Sequence, residues 1–178
     1  MANKPTGQSS RLSNIVGQAS RLSDNFWKRH LPHIQLSSGH YYFITFSTQN
    51  RKLLSAKQKD CVFNGVRFLN NKKYELIAVV VLDDHVHIII NPLEPLPKIM
   101  HSIKSFTAHA INKMSNSKGT VWLNENYDRV IRDENELLEK INYIANNPIK
   151  ANLAKEIASQ NGYPFYKWLY IKGWIEND

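Results

Sequence analysis

The sequence predicts an α+β fold in which helices cover one face of an antiparallel sheet. The predicted elements follow the order strand, helix, strand, strand, helix, strand, and only two residues separate the two middle strands. This order is typical of the ferredoxin-like arrangement. The length of 178 residues suits one well-packed domain with a tail, because typical domains contain about 100–150 residues. We therefore expect a flexible basic tail over residues 1–36 and a single domain over residues 37–178.

Hydropathy patterns predict the first four elements of this domain. Residues 41–48 are aromatic and β-branched, which predicts a strand. Ser55 is suited to cap the helix that follows, whose apolar residues recur at three- and four-residue spacing. Residues 75–82 form a nearly continuous apolar run, typical of a central strand covered on both faces. Asp83 and Asp84 interrupt the run, which resumes at residues 85–90 and so predicts a tight antiparallel hairpin.

The second half of the chain is less regular. Residues 98–114 carry apolar side chains at helical spacing. Residues 121–123 and 127–132 suggest short strands or an extended loop. The aromatic segment at residues 163–174 is expected to pack on the domain.

A last helix is predicted to begin at Asp133 and to end near Asn147. Asp133 and Glu136 have the spacing of a capping box, in which each side chain accepts from a backbone N–H of the other end of the motif. Pro148 cannot donate a helical hydrogen bond and disfavours helical geometry in the residue before it. We therefore expect Pro148 to stop this helix.

The charge balance favours a polyanionic partner such as nucleic acid. Lys and Arg number 23 against 15 Asp and Glu, which gives a net charge of +8. No acidic residue lies between Glu94 and Glu125, so that all charged side chains of this segment are basic. An ordinary solvated helix face that happens to be basic is the alternative interpretation.

Two classes of protein are not expected from this composition. Cys61 is the one cysteine, so neither an intramolecular disulfide nor a cysteine-based zinc site can form. No stretch has the length and hydrophobicity of a membrane-spanning helix, and the start of the sequence lacks the apolar core of a secretory signal. We expect a cytoplasmic, nucleoid-associated protein with no membrane partner.

Two histidines in the second strand of the hairpin are candidates for metal ligands. His85 and His87 are two residues apart, so both side chains point to one face of the sheet. A metal ion between the two imidazoles would satisfy both rings. The alternative is that each histidine donates to a backbone carbonyl or to Asp83 or Asp84.

A tyrosine in the last helix is the candidate nucleophile. On a helical wheel Tyr143 lies opposite the apolar stripe, on the face that carries Glu136, Lys140 and Asn147. Asn147 is one turn from Tyr143, so the phenol and the carboxamide can reach a common point. An amphipathic tyrosine at a helix rim, with its hydroxyl in water, is the other interpretation.

Together these residues suit phosphoryl chemistry on a nucleic acid. Two histidine nitrogens and one amide oxygen leave open positions on a hard divalent cation such as Mg²⁺ or Mn²⁺, which phosphate oxygens and water can fill. A tyrosine hydroxyl nearby could then attack phosphorus and form a covalent intermediate. Such an intermediate would allow strand transfer without ATP.

The same residues resemble a known family, the single-tyrosine HUH transposases, and in particular the REP-associated tyrosine transposases of bacteria. The resemblance runs from about residue 41 to residue 153. It is carried by residues 85–87 (HVH), 121–122 (VW), 127–133 (YDRVIRD) and 143–150 (YIANNPIK).

The resemblance implies roles for individual residues. His85 and His87 would be metal ligands, Asn147 would be the third, and Tyr143 would become linked to a 5′-phosphate while a free 3′-hydroxyl leaves. The implied substrate is single-stranded DNA with an imperfect, REP-like hairpin beside a short guide sequence. The protein would act as a monomer or a homodimer, with the tyrosine helix docked beside a ferredoxin-like sheet. No counterpart for residues 1–36 can be assigned.

Further residues are candidates for contact with DNA. Lysines and arginines could position phosphates, and aromatic side chains could stack on unpaired bases. The phosphate candidates are Lys98, Lys104, Lys113, Arg129 and Arg132, and the stacking candidates are Tyr42, Trp122 and Tyr127. Lys140 could favour the phenolate of Tyr143, and Tyr127 is the second choice of nucleophile.

Three other functions remain open at this point. A catalytically silent module that binds hairpin nucleic acid, such as a repressor, would keep its affinity without Tyr143 or metal. An RNA-binding domain of the RRM type shares the strand order, but the sequence lacks the aromatic pattern of that class. A hydrolytic metallonuclease with the same histidine pair would form no covalent adduct.

Overall fold

The computed structural model describes residues 40–154 and 165–173. The predicted tail over residues 1–36 and its boundary lie outside these residues, as do residues 163, 164 and 174 of the aromatic segment. The described elements are β1 (Tyr41–Ser47), α1 (Ala56–Phe68), β2 (Tyr74–Val81), β3 (His85–Pro92), α2 (Leu96–Met114), β4 (Tyr127–Ile131), α3 (Glu134–Lys150) and β5 (Leu169–Ile171).

The five strands form one antiparallel sheet in the order β4-β1-β3-β2-β5. The first four strands have the ferredoxin-like order, which confirms the predicted fold class. β2 and β3 form the predicted hairpin around Asp83 and Asp84, and β3 is hydrogen-bonded on both sides. β5 adds an edge strand that the sequence pattern does not predict.

Helices cover both faces of the sheet. α1 and α2 pack on the face that contains Val86, Ile88 and Ile90. α3 packs on the opposite face, where Leu137 and Ile141 and their neighbours meet the other side of β2 and β3. The expectation of helices on one face is confirmed for α1 and α2, the two helices of the predicted ferredoxin-like order, and α3 is an additional helix on the opposite face. A sheet with apolar residues on both faces has to be covered twice, which explains the continuous apolar run in β2.

The helix caps match the sequence in part. Ser55 and Gln58 form a complete capping box at the start of α1. At the start of α3, Asp133 accepts from the backbone N–H of Glu136, but the Glu136 carboxylate turns away. It accepts instead from the side chain of Arg129 and from the backbone N–H of Arg132, so only half of the predicted capping box forms.

The predicted end of α3 near Asn147 is wrong, because the helix continues through Pro148 to Lys150. Pro148 lacks one N–H, so the helix loses a single hydrogen bond close to its end. The backbone N–H of Ala151 still donates to the carbonyl of Asn147 and that of Leu153 to the carbonyl of Pro148, and the buried proline ring packs as part of the helix. These later hydrogen bonds and the packing of the ring outweigh the tendency of proline to end a helix.

The segment after residue 164 docks on the β2 edge, as expected of its aromatic composition. The Tyr166 hydroxyl donates to the carbonyl of Val81, and the Trp168 indole donates to Asp60 in α1. In residues 40–154 and 165–173, we find no helix with the length and hydrophobicity needed to cross a membrane.

Candidate nucleic-acid processing site

The histidine pair lies in the middle of the sheet, on the face that α3 covers. Thr45 of β1 and Val80 of β2 are the register partners of His87, which places that ring between two neighbouring strands. The ring centroids of His85 and His87 are 4.8 Å apart. The alternation of a β-strand thus brings the two imidazoles together as the sequence predicts.

His87 is buried and has one ring nitrogen without a partner. Its Nδ1 lies 2.7 Å from the Thr45 hydroxyl oxygen, whereas Nε2 has no hydrogen-bond partner among the described residues. Burial, and to a smaller extent the neighbouring His85, lowers the pKa of His87 from 6.5 to about 3. A neutral imidazole with a buried, unpartnered nitrogen is suited to bind a metal ion.

His85 is held by the residue before it in the chain. Its Nδ1 lies 2.6 Å from Oδ1 of Asp84, and since a carboxylate only accepts, Nδ1 carries the proton. Nε2 of His85 is therefore the nitrogen that can bind a cation. A hydrogen bond from His85 to Asp84 is the alternative to metal binding that the sequence left open. A carboxylate is also a usual hydrogen-bond partner for the second ring nitrogen of a metal-bound histidine.

Tyr143 reaches the histidine pair from α3. Its ring centroid lies 5.2 Å from that of His87, at 75°, and 5.8 Å from that of Phe43. The side chain remains 41% exposed, so that the phenol can meet a substrate from solvent. The ammonium of Lys150 lies 5.4 Å from the centroid of the Tyr143 ring, whereas Lys140 lies over Phe43. Lys150 is thus the cation beside the phenol, a position that the sequence assigned to Lys140.

Asn147 is buried on the same helix face as Tyr143. Its side-chain nitrogen donates to the backbone carbonyl of Tyr143 over 2.8 Å, which makes the carboxamide oxygen the atom suited to a cation. Residues 40–154 and 165–173 contain no group of three His, Cys, Asp or Glu that could hold a metal. Two imidazole nitrogens on β3 and the amide oxygen of Asn147 on α3 are still donors that fit a divalent cation whose other positions are filled by substrate oxygens and water.

The candidate phosphate contacts fall into two groups. Lys98, Lys113 and Arg132 are exposed. Lys104 is occupied, because its ammonium donates to the carbonyls of residues 123, 124 and 125 and to the side chain of Asn126. Arg129 donates to Glu136, 2.5 Å away, and so ties β4 to α3.

The aromatic candidates differ in the same way. Tyr127 is 58% exposed on the edge strand β4 and is available to an unpaired base. Tyr42 is half-buried. Trp122 is 3% exposed, donates to the Thr107 hydroxyl and packs on Phe46, so its predicted stacking on DNA does not agree with its place in the core.

Sequence reasoning missed three residues that shape the site. Phe43 stacks on His87 at 5.5 Å and contacts Tyr143, and Thr45 sets the orientation of the His87 ring. Both lie in β1 on the same face as the histidines, so the strand pairing would have identified them. Lys150 is seven residues after Tyr143, two turns along the same helix face, and this spacing is readable from the sequence.

The two groups of lysines predict different effects of substitution. If exposed Lys113 contacts a phosphate as predicted, Lys113→Ala should reduce the slope of log binding constant against log salt concentration by about 0.7–0.9. Lys104→Met should leave this slope unchanged and lower the free energy of unfolding by about 1 kcal/mol, because its loop carbonyls lose a donor. Salt titrations of hairpin binding and chemical denaturation measure both. A salt slope that falls with Lys104→Met alone would reverse the assignment.

Comparison with known proteins identifies the class. Residues 35–147 match the family described as "Transposase IS200 like", which is more than half of the chain. The chain belongs to the IS200-like transposase family, whose proteins act on DNA. The match confirms the resemblance to transposases that the sequence motifs indicate.

Two solved structures are similar to the chain, and the first of them supports the fold. A REP-associated tyrosine transposase bound to a REP hairpin is similar with a TM-score of 0.57 and 23% identity over 66% of this chain and 72% of that one. A putative transposase from Deinococcus radiodurans R1 aligns with a TM-score of 0.46 and 19% identity, over 63% of this chain and 94% of that one. No curated protein matches the chain.

Proposed function

We propose that the protein is a metal-dependent endonuclease and strand transferase for single-stranded DNA, with Tyr143 as the nucleophile. The observation that carries the proposal is the contact between α3 and β3: the Tyr143 ring lies 5.2 Å from His87, whose buried Nε2 has no partner among the described residues. A partly exposed phenol beside a buried imidazole nitrogen that has no hydrogen-bond partner among the described residues supports phosphoryl transfer better than structural packing.

His85, His87 and Asn147 are the residues that would hold the cation. Mg²⁺ or Mn²⁺ bound there would polarise a phosphodiester and neutralise charge that develops on its oxygens. The second partners Asp84 and Thr45 keep the two imidazoles in place, and burial keeps His87 neutral.

Tyr143 would make and break the covalent bond. Its Oη attacks the scissile phosphorus, the bond from phosphorus to O3′ breaks, and the proton lost by the phenol ends on the departing 3′-hydroxyl. The product is a 5′-phosphotyrosyl DNA. A 3′-hydroxyl from another strand then attacks the same phosphorus, the phosphorus–Oη bond breaks, and the phenol regains its proton. Lys150 lies over the Tyr143 ring, where its ammonium brings a positive charge next to the proposed nucleophile.

The proposed substrate is a single strand that forms an imperfect hairpin of the REP type. The net charge of +8 and the exposed Lys98, Lys113 and Arg132 support a polyanionic partner. The structural neighbour of known ligand is described as bound to a REP hairpin. Exposed Tyr127 at the sheet edge offers a surface for an unpaired base beside the duplex.

The test is to identify the residue that becomes linked to DNA. Wild-type protein is mixed with labelled hairpin oligonucleotides from the DNA that flanks the gene, with Mg²⁺ or Mn²⁺, and an SDS-resistant adduct is digested and sequenced by mass spectrometry. We expect the nucleotide on the peptide that contains Tyr143. An adduct on Tyr127 would move the chemistry to β4. Metal-dependent cleavage without any adduct would indicate a hydrolytic nuclease, and binding without cleavage would indicate a silent hairpin-binding module.

A further inference from the structure

We infer that Asp84 and Arg51 are positioning residues that fix which nitrogen of His85 faces the site. The inference rests on the proposed function, because it assigns these two residues to the support of a proposed metal ligand. Neither residue belongs to the set predicted from the sequence motifs.

Both carboxylate oxygens of Asp84 have a partner. Oδ1 accepts from Nδ1 of His85 at 2.6 Å, and Oδ2 accepts from Nε of Arg51 at 2.8 Å. The Asp84 side chain is 17% exposed, so water competes little for these two bonds. Arg51, whose side chain is 63% exposed, pairs with one oxygen, and the other accepts from Nδ1, so that in the neutral ring Nε2 of His85 is the lone-pair nitrogen.

The backbone of Asp84 is also held by hydrogen bonds. Its carbonyl accepts from the backbone N–H of Thr48 at 2.8 Å and from the Thr48 hydroxyl at 3.1 Å. The carbonyl of Asp83 accepts from Leu54, and the Asp83 carboxylate pairs with Lys59. The segment between β1 and α1 is therefore hydrogen-bonded to the turn of the β2–β3 hairpin, which fixes the backbone from which the Asp84 side chain projects.

Arg51 is placed by an unusual backbone conformation. Asn50 and Arg51 have φ angles of 54° and 55°, the left-handed region that non-glycine residues rarely adopt. Asparagine tolerates this region, but arginine gains nothing from it locally. The conformation directs the Arg51 side chain at Asp84, and Nη1 also lies 3.4 Å from the Ser47 hydroxyl. Backbone strain at the edge of a site commonly serves the site.

The role of Asp84 predicts a defect that appears before any DNA is cut. Asp84→Asn keeps the size of the side chain but can donate to Nδ1, so that His85 loses its fixed tautomer. In metal-free ¹⁵N-labelled protein, ring-nitrogen NMR should show protonated Nδ1 and unprotonated Nε2 of His85 in the wild type and a mixture in Asp84→Asn. The affinity of DNA-free protein for Mn²⁺, measured by electron paramagnetic resonance, should fall about 10- to 100-fold.

Arg51→Gly gives a second variant that should fold well. Glycine accepts a φ of 55°, so the substitution removes the guanidinium and the strain together. We expect the same changes as in Asp84→Asn but smaller, with unchanged hairpin affinity in EDTA. Asn50→Gly is the matched control, because it relieves the neighbouring strain without removing a contact to Asp84, and it should change neither the NMR signals nor Mn²⁺ affinity.

Asp83→Asn separates stability from positioning. Asp83 occupies the same turn but pairs with Lys59, so this variant should lower the melting temperature and leave the His85 tautomer intact. A His85 that already exchanges between tautomers in the wild type, or that keeps protonated Nδ1 in Asp84→Asn, would overturn the inference. A fixed tautomer in a wild type that binds no Mn²⁺ would support the inference and overturn the metal site of the proposed function instead.

Discussion

Replacing Tyr143 with Phe is expected to abolish the covalent DNA adduct and cleavage together. The substitution removes only the phenolic oxygen and keeps the ring that packs on His87 and Phe43. In enzymes with a covalent nucleophile, loss of that group lowers the rate on the order of 10⁶-fold, which is below detection in a gel assay. Single-turnover cleavage of a labelled hairpin and SDS-resistant adducts would be measured for the same preparations.

Tyr127→Phe is the matched control for this experiment. Tyr127 is exposed on β4, and its hydroxyl is the other candidate nucleophile in the motif-bearing half of the chain. We expect the control to form the adduct at nearly the wild-type rate, and both variants to bind the hairpin. An adduct that persists in Tyr143→Phe and disappears in Tyr127→Phe would reject the assignment of Tyr143.

Replacing His87 with Ala is expected to remove Mg²⁺-dependent cleavage while most of the hairpin affinity remains. The substitution removes the buried Nε2 and leaves a gap between Phe43 and Tyr143. A loss of about 1–3 kcal/mol in the free energy of unfolding should accompany it, as for most substitutions at buried positions. Cleavage with Mg²⁺ and with Mn²⁺, hairpin binding in EDTA and thermal melting would be compared.

A histidine far from the site controls for general effects of losing an imidazole. His109 is exposed on α2, which packs on the opposite face of the sheet from α3. His109→Ala should cleave like the wild type. His85→Ala should resemble His87→Ala in activity, since the two rings are 4.8 Å apart. Undiminished cleavage by either His85→Ala or His87→Ala would refute the proposed metal site.

Periodicity explains why much of the site could be predicted from the sequence. The two-residue repeat of a strand places His85 and His87 on one face, and the helical wheel turns Tyr143 away from the apolar stripe of its helix. The interruption at Asp83 and Asp84 predicted the hairpin whose second strand begins at His85. Each of these rules depends only on neighbours in the chain.

The rest of the site depends on contacts between distant segments. Thr45 meets His87 across 42 residues of sequence, and Trp122 is buried because Thr107 and Phe46 surround it. In the sequence, Lys104 cannot be distinguished from the other basic residues of its segment. In the fold its ammonium donates to the backbone carbonyls of residues 123 and 124. α3 continues beyond Pro148 because backbone hydrogen bonds still form in its final turn, after the proline. Pairwise tertiary contacts of this kind leave no periodic pattern.

The central position of β3 links the geometry of the site to the stability of the whole domain. β3 is flanked by β1 and β2, so hydrogen bonds on both sides hold the backbone of the two histidines. Backbone movement that separates the two histidines would have to break strand pairing. Core substitutions would therefore reduce the number of folded molecules in a cell while each folded molecule keeps its full cleavage rate. Mutations in the core would then lower activity by lowering the amount of folded protein. Mutations of the residues around Tyr143 would lower the cleavage rate of each folded molecule.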